Sequence, residues 1–357
     1  MNKKNFWQKL KRPIFALAPM AGITDSAFRQ ICQENGADVV YSEMASVSAL
    51  FFKPKRTLEL LKFNKAERPF VVQLFGKDPK HFAKATRIVS EKIKPDGIDI
   101  NFGCPAKKVF GHGSGCALMM DIKLAREIIS AVCKNTKLPV SIKIRAGIEK
   151  SILKGTFPAK GGSTSGRKGT QNNSSFNALE FIKKTVDLPY SAIMIHGRTY
   201  EGGFSGLVDF SICEKIKKAF PKKIVLANGG INSAEEAVEI LKKYPLLDGL
   251  GIARGAWGQP WIFREIKELL NEIHPVKYFS FTKNNFAEQN LLNRVKKIAF
   301  KHAKLIYKNK GQQGIFEIRK HMSWYVKGFP GASELRRKLV MAENLKEIKQ
   351  ILDGNKI

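Results

Sequence analysis

The chain has 357 residues, 43% of them hydrophobic, enough to bury a full core and to exclude global disorder. That length suits one α/β barrel of about 250 residues with roughly 90 left over. Lys and Arg number 62 against 31 Asp and Glu, a formal charge of +31 and a pI near 9.9; this points to a polyanionic partner such as nucleic acid, although a lysine-rich proteome gives the same count.

In chain order, residues 1–12 read as a basic N-terminal extension without an apolar segment or a small-residue cleavage site. Short apolar, β-branched runs then recur at 14–20, 38–44, 69–76, 97–103, 140–147, 192–198, 223–230 and 249–255. Helical patterns with start signals separate them. Asp78 and Pro79 precede 80–93, Asp121 precedes 122–134, and Asp209 precedes 210–220. Ser233-Ala234-Glu235-Glu236 has the form of a capping box. Eight β-then-α units predict a closed parallel (β/α)8 TIM barrel over 13–271. The polar residues that end most strands then converge on the C-terminal face, where barrel enzymes place their sites. An open doubly wound sheet is the alternative, but Ala18-Pro19-Met20-Ala21-Gly22 is not the Gly-rich phosphate turn it needs.

Residues 149–177 interrupt the fifth unit. Their Gly, Ser, Thr and Asn content is too polar to bury a core, so a flexible insertion is expected, its Lys and Arg facing solvent or RNA phosphate. After about Asn271 the strand rhythm stops. Helical spacing over 284–308, 315–326 and 333–352 predicts an all-helical C-terminal domain at 272–357, basic, with Trp324, Tyr325 and Phe329 interleaved. The five cysteines, Cys32, Cys104, Cys116, Cys133 and Cys213, form no C-x-x-C pair, so no metal site and no disulfide framework is expected. No apolar run approaches the roughly 18 residues of a membrane span. A cytoplasmic protein without membrane contact or obligate protein partner is expected.

Asp99-Ile100-Asn101-Phe102-Gly103-Cys104-Pro105 is the sharpest chemical signal. It sets a thiol just past a barrel strand, in a turn restricted by Gly and Pro. An ordinary thiol is mostly protonated at neutral pH and, facing a site, can donate a proton to carbon. A buried Cys in isolation is more often inert core. Here Gly111, Gly113 and Gly115 follow, a loop suited to close backbone approach by a ligand.

The segment has company. Leu17 to Asp25, Ser42-Glu43-Met44, Asp99 to Val109, Ile195 to Thr199, Ala227 to Ile231, Arg254-Gly255-Ala256, Gln259 to Ile266 and Arg319 to Tyr325 together resemble the tRNA-dihydrouridine synthases, closest to their bacterial B-type branch. The resemblance spans the chain except the 149–177 insertion. It implies an FMN-binding barrel, reduced by NADPH or NADH, and a C-terminal tRNA-binding domain that together convert uridines in tRNA to 5,6-dihydrouridine. By position, Pro19, Met20 and Ala21 would pack on the flavin ring, Gln73 would hydrogen-bond its edge, and Lys143 would face the edge that gains negative charge. His196 would lie beside the ring. Asn228, Gly229, Gly230, Ala253 and Arg254 would bind the phosphate, Cys104 would be the general acid, and Asn101 and Arg198 would face the uracil. One departure is Ala253, where relatives often carry Gly.

Two rivals remain at this level. An FMN barrel acting on a free pyrimidine such as dihydroorotate also needs a Lys by the flavin, but not the +31 charge or a basic helical extension. A non-catalytic RNA-binding barrel has no use for Cys104, Lys143 and Gln73 together.

Overall fold

In the computed structural model, which describes residues 5–148, 176–271, 285–329 and 331–354, eight parallel strands close on themselves. They are β1 (Ile14–Leu17), β2 (Val39–Tyr41), β3 (Phe70–Phe75), β4 (Gly97–Phe102), β5 (Val140–Ile148), β6 (Ala192–Thr199), β7 (Ile224–Asn228) and β8 (Gly249–Ile252). Each pairs with the next, and β8 pairs back onto β1 with Ile14 opposite Gly249. The order predicted from sequence is therefore the order in space.

Strands covered by helices outside and packed inside are mostly apolar, which is why they read as near-continuous runs. β1, β2 and β4 are buried at every position. Ile14, Ala16, Val39, Tyr41, Val71, Met194 and Leu226 form the inner cluster. Trp7 belongs to it too: the turn Phe6–Lys9 folds a fully buried indole against the N-terminal ends of the strands. Part of the basic extension thus closes the bottom of the barrel.

The helices begin as their caps demand. Asp25 caps α1 (Ser26–Glu34) by accepting from the Phe28 amide at 3.0 Å. Asp78 accepts from the Lys80 amide at 2.7 Å to open α2 (Pro79–Ile88), and Asp121 from Leu124 at 3.0 Å to open α3 (Ile122–Lys134). Asp209 accepts from the Ser211 amide ahead of α4 (Ser211–Ala219). At α5 (Ala234–Lys243) half of the expected capping box forms. Ser233 accepts from the Glu236 amide, but the Glu236 carboxylate reaches past Ser233 to the Asn232 amide at 2.7 Å. The last barrel helix is α6 (Ile262–Leu270). Of the predicted insertion, Phe176 and Asn177 pair antiparallel with Ile148 and Gly147. The rest of it, 149–175, lies outside the described residues.

Beyond the barrel come α7 (Asn285–Lys310), α8 (Gln312–Tyr325), α9 (Ala332–Met341) and α10 (Leu345–Gly354). The one helix expected over 333–352 is two. Ala342 turns to extended backbone, Arg319 ties down its carbonyl, and Asn344 with Glu347 starts a fresh helix. That N-x-x-E signal was present in the sequence, but apolar spacing runs straight across it. The apolar faces of these four helices gather with Ala27 of α1 and Trp261 of the barrel into one cluster. Phe28 of α1 stacks on His302, with ring centroids 5.6 Å apart, and lies 5.2 Å from His321. The C-terminal helices thus share apolar packing with the barrel.

Candidate active site

A cavity of about 390 Å³ opens at the C-terminal ends of the strands. The loop after β1 lends it Pro19, Met20 and Ala21, β3 lends Gln73, and β4 with its turn lends Asn101 and Cys104. Lys143 comes from β5, His196 and Arg198 from β6, and Asn228, Gly229 and Gly230 from β7 and its turn. Ala253 and Arg254 follow β8. Every site residue picked out in the sequence thus reaches one space. The fold explains this: parallel strands present their last side chains on a common face.

The electrostatics are one-sided. Lys143, Arg145, Arg198 and Arg254 line the cavity, and no Asp or Glu does so among the described residues. Burial, with Arg145 beside it, lowers the Lys143 ammonium to about 8, so it still carries its proton at neutral pH. It makes no hydrogen bond to any described residue. Burial first, then Lys143, Arg145, Arg198 and Arg254, push His196 far below its ordinary value, so its imidazole is neutral. Its Nε2 lies 3.4 Å from Arg198 Nη1.

The thiol is held by its neighbours. Asn101 Oδ1 accepts from the backbone N–H groups of Gly103 at 3.0 Å and Cys104 at 2.9 Å, closing a tight turn at the strand end. Arg145 Nε donates to the Gly103 carbonyl at 3.0 Å, and its Nη1 donates to Thr199 at 2.7 Å and Gly203 at 2.8 Å. Arg145 therefore clamps the Cys104 turn to the loop after β6. Sequence reading missed it. The available signal was its place two residues beyond Lys143, hence on the same face of β5. Phe204 and Trp257, which also line the cavity, were missed as well.

The glycine-rich loop behaves differently from expectation. Gly111, Gly113 and Gly115 do not line the cavity. Gly115, at φ +61°, packs under the Cys104 turn, where a Cβ would lie 2.9 Å from the Cys104 carbonyl oxygen. The close approach is to the chain's own backbone. Across the cavity, Gly229 at φ +106° and Gly230 at φ +69° do lay backbone bare; a Cβ on Gly229 would sit 2.3 Å from His196 Cδ2. Asn228 donates to the Gly251 carbonyl at 2.6 Å, fixing β7 against β8 below that turn.

The dihydrouridine synthase family model matches residues 16–157 and 166–357. The chain belongs to the dihydrouridine synthase family. It is similar to tRNA-dihydrouridine synthase B of Pasteurella multocida, 33% identical over 321 residues that cover 90% of this chain and 85% of the relative. It is 34% identical to tRNA-dihydrouridine synthase B of Pseudomonas syringae pv. tomato over 322 residues, covering 90% and 84%. A probable tRNA-dihydrouridine synthase of Mycobacterium tuberculosis is 29% identical over 356 residues, covering 97% and 82%. Among solved structures, a 2-naphthoyl-CoA reductase in complex with 2-naphthoyl-CoA superposes with a TM-score of 0.51 at 10% identity, over 71% of this chain and 50% of that one. That likeness speaks to the barrel alone. This family member is an oxidoreductase on a TIM barrel with a helical C-terminal region. Among the described residues no helix is long and apolar enough to cross a membrane.

Proposed function

We propose that this synthase reduces the C5–C6 double bond of uridines in tRNA to 5,6-dihydrouridine, with FMN in the cavity, NADPH or NADH as electron donor and Cys104 as general acid. The observation that carries the reading is a thiol in the turn after β4 and, on the neighbouring β5, an ammonium without a hydrogen-bond partner among the described residues, both at a cavity whose described lining has no carboxylate.

The residues fit the cofactor. A volume of about 390 Å³ is within the range that holds a small ligand. Pro19, Met20 and Ala21 offer an apolar wall for a ring system, and Gln73 offers an amide edge. Lys143 is the cation for the ring edge that becomes negative on reduction. The bare backbone of Gly229 and Gly230, with Ala253 and the guanidinium of Arg254, suits a phosphate. When bound, reduced FMN supplies a hydride equivalent to uracil C6.

The chain's own groups do the rest. Cys104 Sγ gives its proton to C5, and the thiolate regains one from water. Asn101 keeps one amide hydrogen free of strong partners, aimed near the Met44 sulfur at 3.7 Å, as a donor for the base. Arg198 is the second donor. A target uridine must leave its stack to enter such a site. Two contacts support a part for the helical region in holding the RNA: Trp324 stacks on Trp257 at 4.6 Å, and Lys320 Nζ lies 3.9 Å from where a Gly22 Cβ would be.

The test is mass mapping of hypomodified tRNA after incubation with enzyme, FMN and NADPH. Uridines gaining two hydrogens are expected. Turnover of free uracil compounds with unmodified tRNA left intact would install the free-pyrimidine reading instead.

A further inference from the structure

Asp99 lies on β4, inside the barrel and wholly buried, one pleat below Asn101. Its Oδ1 accepts from Ser141 Oγ at 2.6 Å and its Oδ2 from Gln73 Nε2 at 2.8 Å. Gln73 Oε1 in turn accepts from Asn101 Nδ2 at 2.9 Å. Asn101 Oδ1 then accepts from the Gly103 and Cys104 amides. These groups form one chain of hydrogen bonds from the barrel interior to the thiol turn.

The chain has a direction. An amide side chain turned by half a rotation exchanges its donor and acceptor. Nothing intrinsic to Gln73 or Asn101 decides which way each points. A carboxylate, in contrast, only accepts. Asp99 therefore leaves Gln73 one orientation, and Gln73 leaves Asn101 one. At the far end, two backbone N–H groups need an acceptor, and the relay delivers Asn101 Oδ1 to them. Burial raises the Asp99 carboxyl to about 6, while Ser141, Gln73 and then Lys143 on the next strand favour its charged form, so it is ionised at neutral pH.

We propose that Asp99 is a positioning residue, the acceptor at the buried end of an Asp99–Gln73–Asn101 relay that orients the Cys104 turn. This rests on the general-acid reading of Cys104. Asp99 touches neither substrate nor cofactor; it acts through the two amides. Asp99→Asn alone does not break the relay, because its amide can keep its oxygen on Gln73 and turn its nitrogen to the Ser141 hydroxyl, which accepts as well as donates. In Asp99→Leu both acceptor oxygens are gone, nothing fixes which way Gln73 points, and Asn101 loses its orientation with it. The cost appears at the thiol turn. In Asn101→Asp alone, two acceptors meet at Gln73 Oε1. In the double variant, the amide introduced at position 99 donates to Gln73 Oε1, and Gln73 Nε2 donates to the carboxylate introduced at position 101. That carboxylate also accepts from both backbone amides. Both bonds of the relay are restored with their polarity reversed.

The experiment follows single-turnover transfer to tRNA from pre-reduced holoenzyme, with flavin content and reduction by NADPH measured on the same samples. Asp99→Leu is expected to transfer about tenfold slower or worse, the effect of one lost buried hydrogen bond, and to slow transfer by more than it slows flavin reduction, which Gln73 also faces. Asn101→Asp is also slow. The double variant Asp99→Asn, Asn101→Asp is expected to transfer faster than Asn101→Asp although it carries one substitution more, an outcome that loss of packing does not produce. Wild-type transfer by Asp99→Leu overturns the relay. So does a double variant that is no faster than Asn101→Asp or that fails to fold. Should Asp99→Leu alone lose its flavin, the comparison of Asn101→Asp with the double variant decides. Cys104→Ala measured alongside separates the two failures. Wild-type transfer by Cys104→Ala removes the acid assignment itself, whereas impaired transfer there with normal transfer by Asp99→Leu removes the relay alone.

Discussion

In the proposed reaction Cys104 and Lys143 divide the chemistry between a proton and a charge, and each makes a separable prediction. A positioned acid contributes about 10²- to 10⁴-fold to rate. Cys104→Ala should therefore bind flavin and accept nicotinamide hydride normally, yet lose dihydrouridine formation by that order; stopped-flow absorbance and nucleoside mass spectrometry read the two steps. Lys143 makes a pH prediction. Its value near 8 lies below the ordinary lysine range because burial disfavours the ammonium. Below that pH the cation is present, and above it the side chain is neutral. In holoenzyme with oxidised, uncharged flavin, reduction by NADPH should slow as pH rises through about 8. Lys143→Met should be slow throughout and lack that inflection; a wild-type profile with the same inflection in Lys143→Met removes Lys143 as its source. Both residues were legible because a strand end is a predictable place and thiol and amine are distinctive chemistry. Arg145 and Asp99 were not, because their roles are hydrogen bonds to groups far off in sequence: Arg145 to Gly103, Thr199 and Gly203, Asp99 to Gln73 and Ser141.

At the scale of elements, two glycine turns led to two outcomes. Glycines after β4 suggested close backbone approach by a ligand, and the family resemblance gave those after β7 to a phosphate. Those after β7 face the cavity, and Gly115 after β4 faces the Cys104 turn. Sequence records that a Cβ is excluded, not what excludes it. The distinction is testable. Gly229→Ala puts a Cβ 2.3 Å from His196 at φ +106°, so His196 or the turn must shift and strain is added. Its flavin affinity should fall about tenfold or more, corresponding to a cost above about 1.4 kcal/mol. Gly111→Ala meets nothing within 4 Å and should titrate with FMN as the parent does. Equal affinity in Gly229→Ala would place the phosphate elsewhere. Element boundaries followed the same logic. Asp78 and Asp121 cap where they were expected because an N-cap acts within three residues, whereas the break at Ala342 depends on Arg319 reaching its carbonyl from another helix.

For the whole molecule, closure of eight strands was readable because each βα unit repeats the same local pattern, and right-handed crossovers leave few ways to assemble them. The relation of the C-terminal helices to the barrel was not readable. Ala27 and Trp261 lie in the helices' own apolar cluster, and Phe28 is buried against His302 and His321. Deleting the helices would expose these side chains at roughly 1.5–3 kcal/mol for each large one, so a truncated barrel confounds RNA binding with stability. Single-charge removal is the cleaner probe. If the RNA backbone crosses α8 beside the β1 loop, Lys320→Ala should raise KM for tRNA and leave flavin reduction by NADPH unchanged. Each phosphate contact contributes a log–log salt slope of about −0.7 to −0.9, so the variant's slope should be shallower by about that amount. Lys327→Ala, which removes an ammonium 4.9 Å from the Trp324 ring just past the end of that helix, extends the track if it does likewise. A Lys320 variant with unaltered KM and slope would move the RNA path off α8, leaving the cavity chemistry untouched and returning the excess of 31 positive charges to other faces of the protein.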